Sequence, residues 1–138
     1  MKGSAGYSGK RLVEKLGIKP DSTIAILNAP RDYDRTLGAM PPRVTRRAGL
    51  NGTIDFVQFF TSEKRELERR FAVLERALAS AGQLWISWPK RSSGVATDLT
   101  EDVIRAIGLA HGLVDVKVAA VDAVWSGLKF VRRLKDRP

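Results

Sequence analysis

The sequence contains no cysteine among its 138 residues and only one histidine. The first absence excludes a disulfide framework, a thiolate metal or iron–sulfur site and a cysteine nucleophile. The second excludes a multi-histidine metal centre and leaves His111 as the sole imidazole for a Ser-His-Asp type triad. No apolar run approaches the ~20 residues that a membrane-spanning helix needs, and the N-terminal MKGSAGYSGK lacks the apolar centre of a secretory signal. A cytoplasmic protein without membrane contact is therefore expected. Negative charge is also scarce, with 15 Asp plus Glu against 24 Lys plus Arg and a formal net charge of +9. The 43% of hydrophobic residues suffices for a packed core. The length fits one domain over 1–138, with 1–6 as a flexible N-terminus and 135–138 as a basic tail.

Periodicity and capping signals set out the elements. A first helix is expected over about 9–16, with Ser8 as N-cap, Tyr7 stapled onto Leu12 and Gly17 as the left-handed stop. Ser22 to Asn28 and Thr53 to Phe60 are apolar on both faces, as strands covered by helices on each side would be. Asp32 to Leu37 suggests a short helix ended by Gly38, and Val44 to Ala48 a short strand. Leu67, Phe71, Leu74 and Leu78 make one apolar stripe, which predicts a helix over about 62–80, started by Thr61 or Ser62 and ended by Gly82. Gln83 to Trp88 reads as a further strand. Asp98 and Glu101 have capping-box spacing before a helix whose stripe would be Leu99, Val103, Ile107 and Ala110, ended by Gly112. Val114 to Val121 and Leu128 to Leu134 form a closing hairpin, with the second strand at a sheet edge where a homodimer could pair. Alternating strands and helices define an α/β class, three-layered and mostly parallel, with a C-terminal antiparallel hairpin.

This order resembles a trimmed class I methyltransferase, a Rossmann-like fold whose parallel sheet also ends in an antiparallel strand inserted by a terminal hairpin. ALASAGQLWISWPK at 77–90 is similar to the helix-to-strand junction of that fold. Three phrases together, YSGKRLVEKLGIKP at 7–20, WPKRSSGVATDLTEDVIR at 88–105 and GLVDVKVAAVDAVWSGLKFVRR at 112–133, resemble a family of short, uncharacterised bacterial domains of unknown function. That resemblance covers most of the chain outside 31–51 and implies a fold without a reaction.

A nucleotide-cofactor enzyme of such a fold needs a glycine-rich loop after its first strand and an acid after its second to hold the ribose hydroxyls. The first loop here is Asn28-Ala29-Pro30-Arg31-Asp32, without glycine, and Pro30 removes a backbone donor. The second strand carries Arg46 and Arg47 where the acid belongs, and Asp32 and Asp34 fall in the wrong element. No cofactor, metal or catalytic residue is expected from these features.

The leading site candidate is the loop Lys90 to Thr97, which leaves a strand at its carboxyl end and enters a helix N-terminus. Lys90 and Arg91 bring positive charge, Ser92, Ser93 and Thr97 bring hydroxyls, and Asn28 and Trp88 flank the adjoining cleft. A phosphate- or carboxylate-bearing ligand suits this set. The plainer account is that Thr97 and Asp98 cap the helix while the serines and Gly94 shape an ordinary loop. Trp85 and Trp88, three apart on one strand, point to opposite faces, with Trp85 expected in the core. Trp125 lies near the hairpin turn, folded back on the sheet or facing a partner, and His111 is placed to cover the last carbonyls of its helix.

Residues 1–50 hold ten basic and four acidic side chains, and a second basic cluster comprises Arg132, Arg133, Lys135 and Arg137. Such a field attracts polyanions without sequence selectivity. The expected function is a non-catalytic binding or regulatory domain for an anionic ligand or partner. Its alternatives are a degenerate S-adenosylmethionine-dependent methyltransferase and a weak nucleic-acid binder acting through the N-terminal arginines.

Overall fold

The two runs that are apolar on both faces become neighbouring central strands. In a computed structural model, which describes residues 11–137, β1 (Thr23–Leu27) and β3 (Ile54–Phe60) pair in parallel, with Ala25 opposite Val57. Outside β1 lies the three-residue β2 (Thr45–Arg47), parallel to β1, and beyond β3 lies the long β4 (Leu78–Pro89), parallel to β3. The hairpin β5 (Leu113–Ala120) and β6 (Trp125–Arg132) completes a six-stranded sheet of order β2-β1-β3-β4-β6-β5, with β6 antiparallel to both neighbours. Two core clusters, one on each face, make the architecture three-layered.

One face is covered by α3 (Lys64–Ala77) and α4 (Glu101–Ala110). Leu67, Phe71 and Leu74 of α3 and Ile104 and Ile107 of α4 pack there on Val57, Phe59, Leu84, Ile86 and Phe130. Gly108 makes the approach of α4 to β6 possible, because a Cβ there would stand 2.0 Å from the Phe130 ring. The other face carries only α1 (Leu12–Leu16) and α2 (Tyr33–Leu37), five residues each. Side-chain donors help to hold α1. Trp85 Nε1 donates to the Leu16 carbonyl at 2.9 Å, Gln83 Nε2 to the Gly17 carbonyl at 2.9 Å and Lys117 Nζ to the Lys15 carbonyl at 3.0 Å. Gly17, at φ 84°, supplies the left-handed stop that the sequence predicts.

Several expectations need correction. The long helix stops at Ala77 rather than near Ser80, because Leu78 already pairs with Ile54 in the sheet. Gly82 sits inside an irregular stretch of β4, where a Cβ would stand 3.1 Å from backbone atoms of Ala79 and Ile54. Neither Thr61 nor Ser62 is the N-cap of α3, which is Glu63, and Asp98 accepts from Lys64 N at 2.8 Å across the loop. Asp98 therefore serves α3, while Thr100 caps α4 by accepting from Val103 N. The buried stripe of α4 is Ile104, Ile107 and Gly108, and Ala110 is exposed. β6 is an interior strand and β5 the edge, so the pairing edge expected at Leu128 to Leu134 is already occupied. The first helix starts at Leu12 rather than near residue 9, because Arg11 is extended and takes the N-cap position expected of Ser8; Ser8, Tyr7 and the N-terminus 1–6 themselves lie outside the described residues.

Candidate functional site

In an open α/β sheet, ligands bind beyond the carboxyl ends of the strands, where successive crossovers depart in opposite directions. Here that point lies between β1 and β3: β2 is reached on one side of β1, and β4 on the far side of β3. The chain leaves β1 through Asn28 in the left-handed region, at φ 60°, and turns through Pro30 into α2. Asn28 Nδ2 donates to the Phe60 carbonyl at 3.3 Å, bridging the ends of the two strands. Behind it, Phe60 meets Tyr33 edge to face at 4.8 Å between ring centroids and Trp125 at 5.1 Å. Trp125 thus folds back on the sheet. Three rings of this chain pack together beside the carboxyl ends of β1 and β3.

A buried polar chain runs under these rings. The Tyr33 hydroxyl donates to Gln58 Oε1 at 2.7 Å, and Gln58 Nε2 donates to Ser87 Oγ at 3.0 Å. Gln58 and Ser87 are fully buried, and every buried side-chain polar atom among the described residues has a partner. Burial pushes the Tyr33 phenol well above its ordinary range. Sequence reading missed this chain, although a glutamine inside an otherwise apolar strand requires a buried partner.

The basic residues expected near a ribose are engaged elsewhere. Arg46 pairs with Asp34 of α2 at 2.8 Å, and Arg47 donates to the Asn51 carbonyl at 2.6 Å. A pocket of about 530 Å³ adjoins this pair, lined by Ala29, Pro30, Asp32, Arg35 and Arg46 among others.

The second place at the carboxyl edge is the loop from β4 to α4. A pocket of about 530 Å³ lies there, lined by Trp88, Pro89, Arg91, Val95, Thr97 and Leu99 among others. Trp88 is buried against the α3/α4 core and offers the pocket only its margin. Arg91 is exposed at the rim, on a short 3-10 turn of Arg91–Ser93 closed by Gly94 at φ 79°. Thr97 Oγ1 donates to the Ser62 carbonyl at 2.6 Å and accepts from Leu99 N, so it ties the loop to the start of α3. Ser93 Oγ donates to the Lys90 carbonyl and accepts from Val95 N, shaping the turn. Lys90 N donates to the Val124 carbonyl of the hairpin at 2.7 Å.

Of the seven predicted site residues, Trp88, Arg91 and Thr97 line this pocket. Lys90, Ser92 and Ser93 adjoin it, and Asn28 belongs to the bridged crevice. His111 Nδ1 lies 3.0 Å from the Ile107 carbonyl and its ring 4.7 Å from Phe71, a helix-end role. No group of three or more His, Asp or Glu side chains able to hold a metal occurs among the described residues. No described helix is long and apolar enough to cross a membrane.

Comparison with solved structures shows the fold. The chain is similar to a SAM-dependent methyltransferase from Aquifex aeolicus, with TM-score 0.61, 13% identity and 86% of each chain covered. It is similar to a magnesium protoporphyrin IX methyltransferase from Synechocystis PCC 6803 with bound SAM, with TM-score 0.57 and 13% identity over 88% of this chain and 74% of that one. Fibrillarin from Aeropyrum pernix with bound S-adenosyl-L-methionine gives TM-score 0.58 and 13% identity over 83% and 68%. No model of a known protein family matches the chain, and no curated protein does. The fold is the Rossmann-like fold of class I methyltransferases, with six strands and a link of only six residues, 48–53, from β2 to β3.

Proposed function

We propose that the chain is a non-catalytic binding domain built on the methyltransferase scaffold, and that it takes a phosphate- or carboxylate-bearing ligand in the pocket between β4 and α4. One contrast supports this reading. The crevice at the β1 and β3 ends, where an α/β sheet of this kind holds its ligand, is bridged by Asn28 and flanked by Tyr33, Phe60 and Trp125. The pocket at the end of β4 is open, and the Arg91 guanidinium stands at its rim free of any ion pair among the described residues. Arginine is suited to such anions because its planar fork meets two oxygens at once.

The fold likeness favours a second reading, a degenerate methyltransferase, because two of the similar structures carry S-adenosylmethionine. Thermal unfolding separates the two. A ligand at about 100 times its Kd stabilises the fold by about 2.7 kcal/mol. We expect stabilisation by inorganic phosphate or a nucleoside monophosphate, abolished in Arg91→Ala, and none by S-adenosylmethionine or S-adenosylhomocysteine. Stabilisation by the sulfonium cofactor in both wild type and Arg91→Ala would establish the methyltransferase reading instead.

A further inference from the structure

The ion pairs of this molecule engage five of its fifteen arginines and none of the described lysines. All seven salt bridges among the described residues use arginine: Arg11, Arg43, Arg46, Arg105 (three times) and Arg132. Three of the six arginines in residues 1–50 are answered by local acids, Arg11 by Glu14, Arg43 by Asp21 and Arg46 by Asp34. No described lysine has an acidic partner.

Three of these lysines meet on the α1 side of the sheet. Lys117 and Lys129 stand opposite each other on β5 and β6, and Lys129 also stands opposite Trp85 of β4, whose side chain belongs to the α1-side core. Lys19, just beyond α1, lines a pocket with Gln83, which lies two residues from Trp85 on the same face and donates to the Gly17 carbonyl. Lys129 is half-buried, and its ammonium is pushed below the ordinary lysine range by burial first, then by Lys117 and Lys19. Like charges held opposite each other across a strand pair are unfavourable. The hydrogen bond from Lys117 Nζ to the Lys15 carbonyl at 3.0 Å fixes one member of the group against α1.

We infer that Lys19, Lys117 and Lys129 form a docking face for the phosphodiester backbone of a nucleic acid, bound without base selectivity. A chain carrying one negative charge per nucleotide relieves all three ammonium groups together and releases its own counterions. The adjoining surface fits a lipid headgroup layer less well. Val118, an exposed apolar side chain on β5, stands opposite Leu128 of the α4-side core and so occupies the other face, which leaves Val116, in the irregular stretch beside Lys117, as too small an apolar area to anchor the group in lipid. This face is separate from the β4–α4 pocket, and the two proposals fail independently.

The test is fluorescence anisotropy of a labelled mixed-sequence oligonucleotide, single-stranded and duplex, titrated with the full chain at several salt concentrations. Lys19→Ala, Lys117→Ala and Lys129→Met should each weaken binding about tenfold and make the log Kd against log salt slope shallower by about one. Lys129→Arg should restore binding. Arg43→Ala and Arg46→Ala should bind as wild type, and circular dichroism melts confirm that each variant is folded. The proposal is overturned if the lysine variants bind as wild type or the arginine variants lose as much. It is also overturned if wild type binds phosphatidylserine vesicles and no oligonucleotide, or binds neither.

Discussion

The two faces of the sheet are covered by different means. On the α3/α4 face, helices of 14 and 10 residues bring an apolar stripe each, and the contact is almost entirely hydrocarbon. On the α1/α2 face, two helices of five residues are too short to hold themselves by apolar area alone. There the sheet reaches out with polar groups: Trp85, Gln83 and Lys117 donate to the end of α1, and Gln58 receives the Tyr33 hydroxyl at the start of α2. A short helix can thus be positioned by directed bonds where a long one is positioned by shape.

Substitutions sharpen this contrast, beginning with the packed face. Phe71→Ala removes a fully buried ring that touches Phe130 and His111, and should cost about 3–5 kcal/mol in urea unfolding. An effect no larger than that of a surface substitution would mean that α3 is held by something other than its stripe. Gly108→Ala, which forces a methyl against the immovable Phe130 ring, should cost about 1–3 kcal/mol despite alanine's better helix propensity.

On the opposite face, Tyr33→Phe keeps the ring and removes one hydroxyl, leaving Gln58 Oε1 buried without its donor, for about 1–3 kcal/mol at neutral pH. The wild type should also lose stability above about pH 10, where an unfolded tyrosine releases its proton and the folded Tyr33 keeps it. Tyr33→Phe should show less of that alkaline loss, and identical alkaline profiles would place the tyrosine outside the core. The smallest effect belongs to Asp115→Asn. The Arg105 guanidinium holds the Asp115 carboxyl below its ordinary range, so this pair stabilises the fold above the unfolded carboxylate pKa and ceases to do so as pH falls through the lowered value. The difference between wild type and Asp115→Asn should therefore be present at neutral pH and vanish in strong acid. A difference that persists in acid would indicate a role for Asp115 other than charge.

The same contrast explains what was legible in the sequence. The stripe Leu67, Phe71 and Leu74 and the runs at 22–28 and 53–60 announce themselves by period, and the α3/α4 side follows from them. The other side depends on pairs far apart in the chain, such as Tyr33 with Gln58 and Leu16 with Trp85, which leave no periodic trace. Asp98 shows the limit within a motif. Its spacing to Glu101 fits a capping box, yet the loop folds so that its carboxylate reaches Lys64 of α3 while Thr100 takes the expected role. The pocket loop was found because it sits where a strand meets a helix. That Thr97 ties this loop to Ser62 follows only from the tertiary fold. The missing glycine after β1 was the most informative sequence feature, because the structure bridges that turn to β3 through Asn28.

The interior position of β6 bears on how the chain acquires its structure. β4 carries Trp85, Ile86 and Trp88, and the partner along its outer edge is the strand formed last in chain order, at Trp125–Arg132. Until that segment arrives, a twelve-residue apolar strand has one side unsatisfied and open to pairing with another chain. Because the contact is non-local, its closure is a slow event relative to helix formation. Refolding yield at raised protein concentration should thus be governed by how soon the C-terminal hairpin inserts, a kinetic hazard created by topology and independent of how stable the finished sheet is.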